Sequence, residues 1–126
     1  MPSNTRVLRI AERIRNEMAD LLRRGVADPR LEMVTVTGVE VDRELAFATI
    51  YVTSLDAQER RQEILRALEG ARGFFRTELA RRIELRAFPK VRFRWDDSAD
   101  QGAKIEALLK QLNATPEDSE GVAGEG

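Results

Sequence analysis

The chain has 126 residues, of which 42% are apolar and 34% charged, and its formal net charge is −1; this suits one soluble folded domain with a real core. It contains neither cysteine nor histidine, which excludes a disulfide framework, Cys- or His-based nucleophilic triads, imidazole metal sites and histidine general bases. No stretch approaches the roughly 18 apolar residues of a membrane span, and residues 1–9 have no apolar signal-peptide core, so a cytoplasmic protein without a membrane partner is expected.

Residues 5–24 carry Val7, Ile10, Ala11, Ile14, Met18, Leu21 and Leu22 on one 3.6-period face, the pattern of an amphipathic helix. Ser3, Asn4 or Thr5 can cap it, and Gly25 followed by Asp28-Pro29 stops it. Asp28-Pro29-Arg30-Leu31 reads as a helix-to-strand turn with Leu31 tucked inward. Met33 to Val41 is a Val/Thr strand whose inward parity changes between Val34/Val36 and Val39/Val41, so a bulge or twist is expected at Gly38. After a tight connection at Asp42-Arg43-Glu44, Leu45 to Thr53 forms a second strand and closes an antiparallel hairpin. Ala46, Ala48, Ile50 and Val52 lie on one of its faces.

A second helix spans Asp56 to Glu69, capped by Asp56 and anchored by Ile64, Leu65 and Leu68. A kink at Gly70-Ala71-Arg72-Gly73 leads to a third helix that runs to about Leu85 and buries Phe75, Leu79 and Ile83 at i, i+4, i+8. Phe74 is placed beside them. After Pro89, Val91, Phe93 and Trp95 alternate with Arg92 and Arg94 in a third strand. A short last helix covers Gly102 to Leu112, and the acidic segment 113–126 has the composition of a disordered tail. One domain over residues 1–112 follows, an α+β fold in the helix-strand-strand-helix-helix-strand order of a type II KH domain.

The small net charge conceals an uneven distribution. Residues 31–59 carry −5 and residues 95–126 carry −6, whereas residues 1–30 carry +3 and residues 60–94 carry +7. A local field of this kind points to phosphate. Arg accounts for 18 of the 21 basic residues, and its planar fork suits phosphate oxygens. The candidate surface is Gly70, Ala71, Arg72 and Gly73 at the kink, Arg76, Arg81, Arg82 and Arg86 beyond it, and Arg6, Arg9 and Arg13 on helix one. Gly-x-x-Gly between two helices can let a phosphate approach the main chain. A plain helix–helix turn explains the same residues, with Gly73 then expected at positive φ or at a close helix approach. Arg72, Arg76, Arg81 and Arg82 are expected to be expendable for folding, because the apolar stripe of that helix lies elsewhere. Asp96-Asp97-Ser98 reads as a strand-ending turn before an ion site. Phe47, Tyr51 and Trp95 read as core or half-buried sheet positions before base-stacking groups. No catalytic residue, metal, cofactor or small-molecule substrate is expected.

Three stretches carry a family resemblance: RVLRIAERIRNEMADLL, DPRLEMVTVTGVEVDRELAFATIYVT and ALEGARGFFRTELARRIELRAFPKVRFRWDDS. Together they resemble the ribosome-binding factor A family over roughly residues 6–112. The resemblance implies a type II KH fold in which an Ala-x-Gly kink, here Ala71-Arg72-Gly73, replaces the usual Gly-x-x-Gly. It implies a non-catalytic, monomeric factor that binds the free 30S subunit near the 5′ end region of 16S rRNA. Late small-subunit maturation, 16S 5′-end processing and growth in the cold are the implied roles. Two alternatives stay open: a general KH-type single-stranded RNA binder, and a protein-interaction domain for an acidic partner.

Overall fold

Helix α1 (Asn4–Arg24) buries Val7, Ile10, Ala11, Ile14, Met18 and Leu21. Burial of this stripe against the sheet is what stabilises a helix whose other faces are charged. The computed structural model describes residues 4–24, 26–54, 60–98 and 107–112. The expected stop at Gly25, the cap at Asp56, the start of the last helix at Gly102 and the acidic tail lie outside the described residues. The chain divides into two units, Met1–Asp96 and Asp97–Gly126. In the second, residues 107–112 are helical.

In the first unit, α1 is followed by a 3₁₀ turn (Pro29–Leu31). The Asp28 carboxylate accepts the Arg30 N–H at 3.0 Å, Pro29 opens the turn and Leu31 is buried, as expected of this motif. Strands β1 (Val34–Val41) and β2 (Phe47–Ser54) pair antiparallel. Their register shifts between Val36, opposite Val52, and Gly38, opposite Tyr51. The bulge therefore lies where the valine parity changes, and it lets both halves of β1 face the core.

The connection between these strands corrects the expected boundary. The Asp42 carboxylate accepts the N–H groups of Ala46 at 2.8 Å and Phe47 at 2.7 Å, and these bonds hold its carboxyl below the ordinary range. Leu45 takes φ 58, the left-handed region. It stays there because its N–H donates to the Asp42 carbonyl at 3.0 Å while its side chain packs on the core. Strand β2 thus begins at Phe47 and not at Leu45. Ala48, Ile50 and Val52 are fully buried on it, whereas Ala46 is exposed in the turn.

Helices α2 (Arg61–Gly70) and α3 (Arg72–Arg82) then cross to strand β3 (Lys90–Trp95), which pairs parallel with β2. The sheet order is β1-β2-β3, and a parallel return of this kind requires such a helical crossover. The architecture is the expected α+β, KH-like one. Phe75 lies at its centre, fully buried and edge-on to Phe93 at 5.9 Å. Helix α3 ends three residues earlier than expected. Ile83 is extended (φ −124, ψ 116) but still buried, so its side chain stays in the core while the backbone turns toward β3.

Candidate nucleic-acid interface

The kink forms at one residue. Ala71 lies between α2 and α3 with φ −100 and ψ 10, and its N–H is shared between the carbonyls of Ala67 at 3.2 Å and Leu68 at 3.1 Å. Phe75 N–H then donates to the Ala71 carbonyl at 3.0 Å, starting the next helix without a side-chain cap. A Cβ added at Gly70 or Gly73 would meet nothing within 4 Å, and neither glycine takes positive φ. The expectation that packing or backbone strain demands glycine at position 73 is therefore corrected: the site is open on its outer side. Gly73→Ala is expected to raise stability by up to about 1 kcal/mol, because alanine loses less backbone entropy in a helix. If phosphate approaches this backbone, the same change weakens small-subunit binding. A thermal melt beside a binding titration checks both, and a lowered melting temperature would show that the fold itself needs the glycine.

Phe74, placed beside the core residues by sequence, is about half exposed at 48%. It meets Phe75 edge-on at 5.5 Å. One residue is a turn of roughly 100° on a helix, so the stripe that buries Phe75 carries Phe74 outward. An exposed aromatic next to the kink has the chemistry to stack on an unpaired base. Its signal in the sequence was the spacing of its neighbour.

The arginines of α3 divide by function. Arg72 pairs with Glu69 at 3.2 Å and Arg81 with Glu78 at 3.0 Å. Both are exposed i,i+3 pairs that a phosphate can outcompete. Arg76 instead donates to the carbonyls of Pro89 at 3.2 Å and Phe88 at 2.8 Å, fixing the approach to β3. Arg82 donates to Glu17 at 3.0 Å and Asp20 at 2.9 Å on α1. Its hydrogen bond holds the Asp20 carboxyl below the ordinary range, and Asp20 in return raises Arg82. The four arginines are thus not equivalent, and the expectation that all can be removed without cost to the fold is corrected. Arg76 and Arg82 join elements distant in sequence. Arg86 is exposed beyond them.

Helix one supplies the other patch. Arg6, Arg9 and Arg13 line a groove of about 670 Å³ together with Thr5 and Ile10, facing Ile83, Glu84 and Leu85. Arg13 Nη2 donates to the Arg82 carbonyl at 3.0 Å, a further tie between α1 and the end of α3. The groove lies where α3 stops at Arg82 and the backbone turns extended at Ile83. Helix α3 has 11 residues, so kink and groove lie roughly 16 Å apart along its axis. The two basic patches read from the sequence are thus separate in the fold. Among the described residues no group of three or more His, Cys, Asp or Glu side chains could hold a metal, and no helix is long and apolar enough to cross a membrane. Asp96 N–H donates to the Val52 carbonyl at 2.8 Å, as a strand-ending residue does.

Known proteins with this sequence pattern and fold point the same way. The sequence profile described as ribosome-binding factor A matches residues 6–109. A ribosome-binding factor A of Desulforamulus reducens is 43% identical over 106 residues, covering 84% of this chain and 88% of that one. The crystal structure of ribosome-binding factor A from Thermus thermophilus superimposes with a TM-score of 0.64 at 25% identity, covering 71% of this chain and 93% of the other. A homology model of the Thermus thermophilus factor, fitted into a cryo-EM map of a 30S complex, matches with a TM-score of 0.52 at 26% identity, over 68% and 93% of the two chains.

Proposed function

Because the chain belongs to the ribosome-binding factor A family, we propose that it is a non-catalytic, monomeric cytoplasmic assembly factor that docks on the free 30S ribosomal subunit. It contacts 16S rRNA near its 5′ end region, holds the immature RNA during late maturation and 5′-end processing, and supports growth in the cold. The observation that carries this reading is the α1 groove, where Arg6, Arg9 and Arg13 on one helix wall face Ile83, Glu84 and Leu85, three cations to one carboxylate. Such a channel fits an RNA backbone: guanidinium groups neutralise phosphates and release their counterions. The kink contributes a second contact, with Arg72 beside the open backbone of Gly73 and the exposed ring of Phe74. The fitted Thermus thermophilus relative supports the choice of the small subunit.

Fractionation of a cell lysate on a sucrose gradient, probed for this chain, tests the proposal. The expected result is co-sedimentation with free small subunits. Equal distribution across small subunits, large subunits and 70S particles would overturn it. The literal Gly70-Ala71-Arg72-Gly73 favours a second reading, a general single-stranded RNA binder. That reading predicts nuclease-sensitive complexes with many cellular RNAs and no dominant ribosomal species.

A further inference from the structure

The face of the sheet that looks away from the helices carries a set of groups that the docking surface leaves unused. On β3, Val91, Phe93 and Trp95 are buried, while Lys90, Arg92 and Arg94 are exposed. Parallel pairing sets Lys90 beside Phe47, Arg92 beside Thr49 and Arg94 beside Tyr51 on β2. Paired residues in such a ladder point the same way, so three cations and two aromatic rings share one face. Trp95 is absent from it, packed into the core. Phe47 is 36% exposed. The Arg92 guanidinium sits over its ring at 4.2 Å.

Most arginines of α1 and α3 form ion pairs with neighbouring carboxylates. Among the described residues Lys90, Arg92 and Arg94 form none, as is also true of Arg9 on α1 and Arg66 on α2. Side chains two apart on a strand are separated by roughly 6.6 Å, close to the spacing of successive phosphates in an extended strand. Carboxylates reach this face as well. Glu40 stands beside Thr49 in register and accepts the Tyr51 hydroxyl at 3.0 Å, and Asp42 accepts the N–H groups of Ala46 and Phe47. The Phe47–Arg92 end holds the cation–ring pair, with Lys90 beside Phe47 in register. There a cavity of about 400 Å³ is lined by Phe47, Thr49 and Arg92 together with Glu40, Asp42 and Arg43, and it extends to Asn4 and Leu8 of α1.

We propose that this sheet face is a third RNA contact, which takes an unpaired segment: a base stacks on the Phe47–Arg92 pair while Lys90 and Arg94 hold the flanking phosphates. The inference rests on the RNA-binding reading above and adds a site to it. Bases stack readily on aromatic rings and on guanidinium planes, and duplex RNA cannot offer its bases in that way. The competing explanation is that charges on β3, an edge strand, prevent edge-to-edge aggregation. It accounts for the cations, but not for an exposed phenylalanine beneath one of them.

The test uses the full chain and two fluorescent probes of equal length, a single-stranded oligouridylate and a duplex RNA. Lys90→Gln with Arg94→Gln is expected to lower the salt slope for the single strand by roughly 1.4 units, about 0.7 for each phosphate. Phe47→Leu is expected to weaken the single strand by about 5-fold or more and to leave the duplex unchanged. The double variant carries the test if Phe47→Leu does not fold. Wild-type binding by both variants overturns the sheet site, as does aggregation of the double variant with unchanged RNA binding. An Arg6, Arg9, Arg13 triple alanine variant runs alongside. If that variant alone loses small-subunit binding, the family function stands and the sheet site fails. If wild-type protein binds neither probe nor small subunits, both fail.

Discussion

Replacing Phe75 with alanine is expected to cost about 3–5 kcal/mol of folding stability. The side chain is fully buried and joins α3 to β3 through its edge-on packing with Phe93 at 5.9 Å. Ile14, Met18, Ile50, Ile64 and Leu79 are likewise fully buried in the same cluster, so the space left behind has little freedom to collapse. Phe75→Leu keeps most of the volume and is expected to cost less than about 1.5 kcal/mol. Urea unfolding followed by circular dichroism gives both numbers. A loss below about 1 kcal/mol for alanine would mean that α3 is held by something other than this anchor. Small-subunit binding should fall only in proportion to the unfolded fraction, because Phe75 points away from both basic patches.

The second large effect is on binding. Arg6→Ala, Arg9→Ala and Arg13→Ala together are expected to weaken binding to purified small subunits by about 10-fold or more. They should also lower the slope of log affinity against log salt by roughly 2 to 3 units, up to about 0.9 for each phosphate that is no longer neutralised. Alanine is the better helix former, and the apolar stripe of α1 is untouched. Arg13 also donates to the Arg82 carbonyl, so the Arg6, Arg9 double variant is the companion that leaves this tie in place. Arg23→Ala with Arg24→Ala is the control, since both residues pair with Asp20 at the far end of the helix. A folded triple variant with unchanged affinity and slope would move the RNA-binding surface to the kink or the sheet.

Periodicity alone located most of the elements, and it did so for a physical reason: each helix and strand here buries one face, and burial leaves a period in the sequence. Val34, Val36, Val39 and Val41 show this well. Their change of parity located the bulge, because a strand can keep both halves facing the core only by gaining a residue. The boundaries were less legible where a hydrogen bond decided them. Strand β2 starts at Phe47 because the Asp42 carboxylate takes the N–H groups of Ala46 and Phe47, and nothing in the apolar pattern marks those two bonds. Phe74 shows the limit from the other side. It is as apolar as Phe75, and only the angle between adjacent helical residues separates the exposed ring from the buried one.

The sequence by itself determined the α+β architecture, the absence of His- or Cys-based chemistry, and the location of excess positive charge at two places in the chain. Which of those charges are free to meet a partner was decided by the tertiary structure. Arg76 and Arg82 read in sequence like Arg72 and Arg81, yet folding brings the Phe88 and Pro89 carbonyls to Arg76 and the Glu17 and Asp20 carboxylates to Arg82. Glu17 and Asp20 lie more than sixty positions from Arg82, so no local pattern records the pairing. Conversely, Lys90, Arg92 and Arg94 gain no carboxylate partner among the described residues when β3 joins the sheet, because strand alternation directs them away from the helices, whose acidic groups pair with most arginines of α1 and α3.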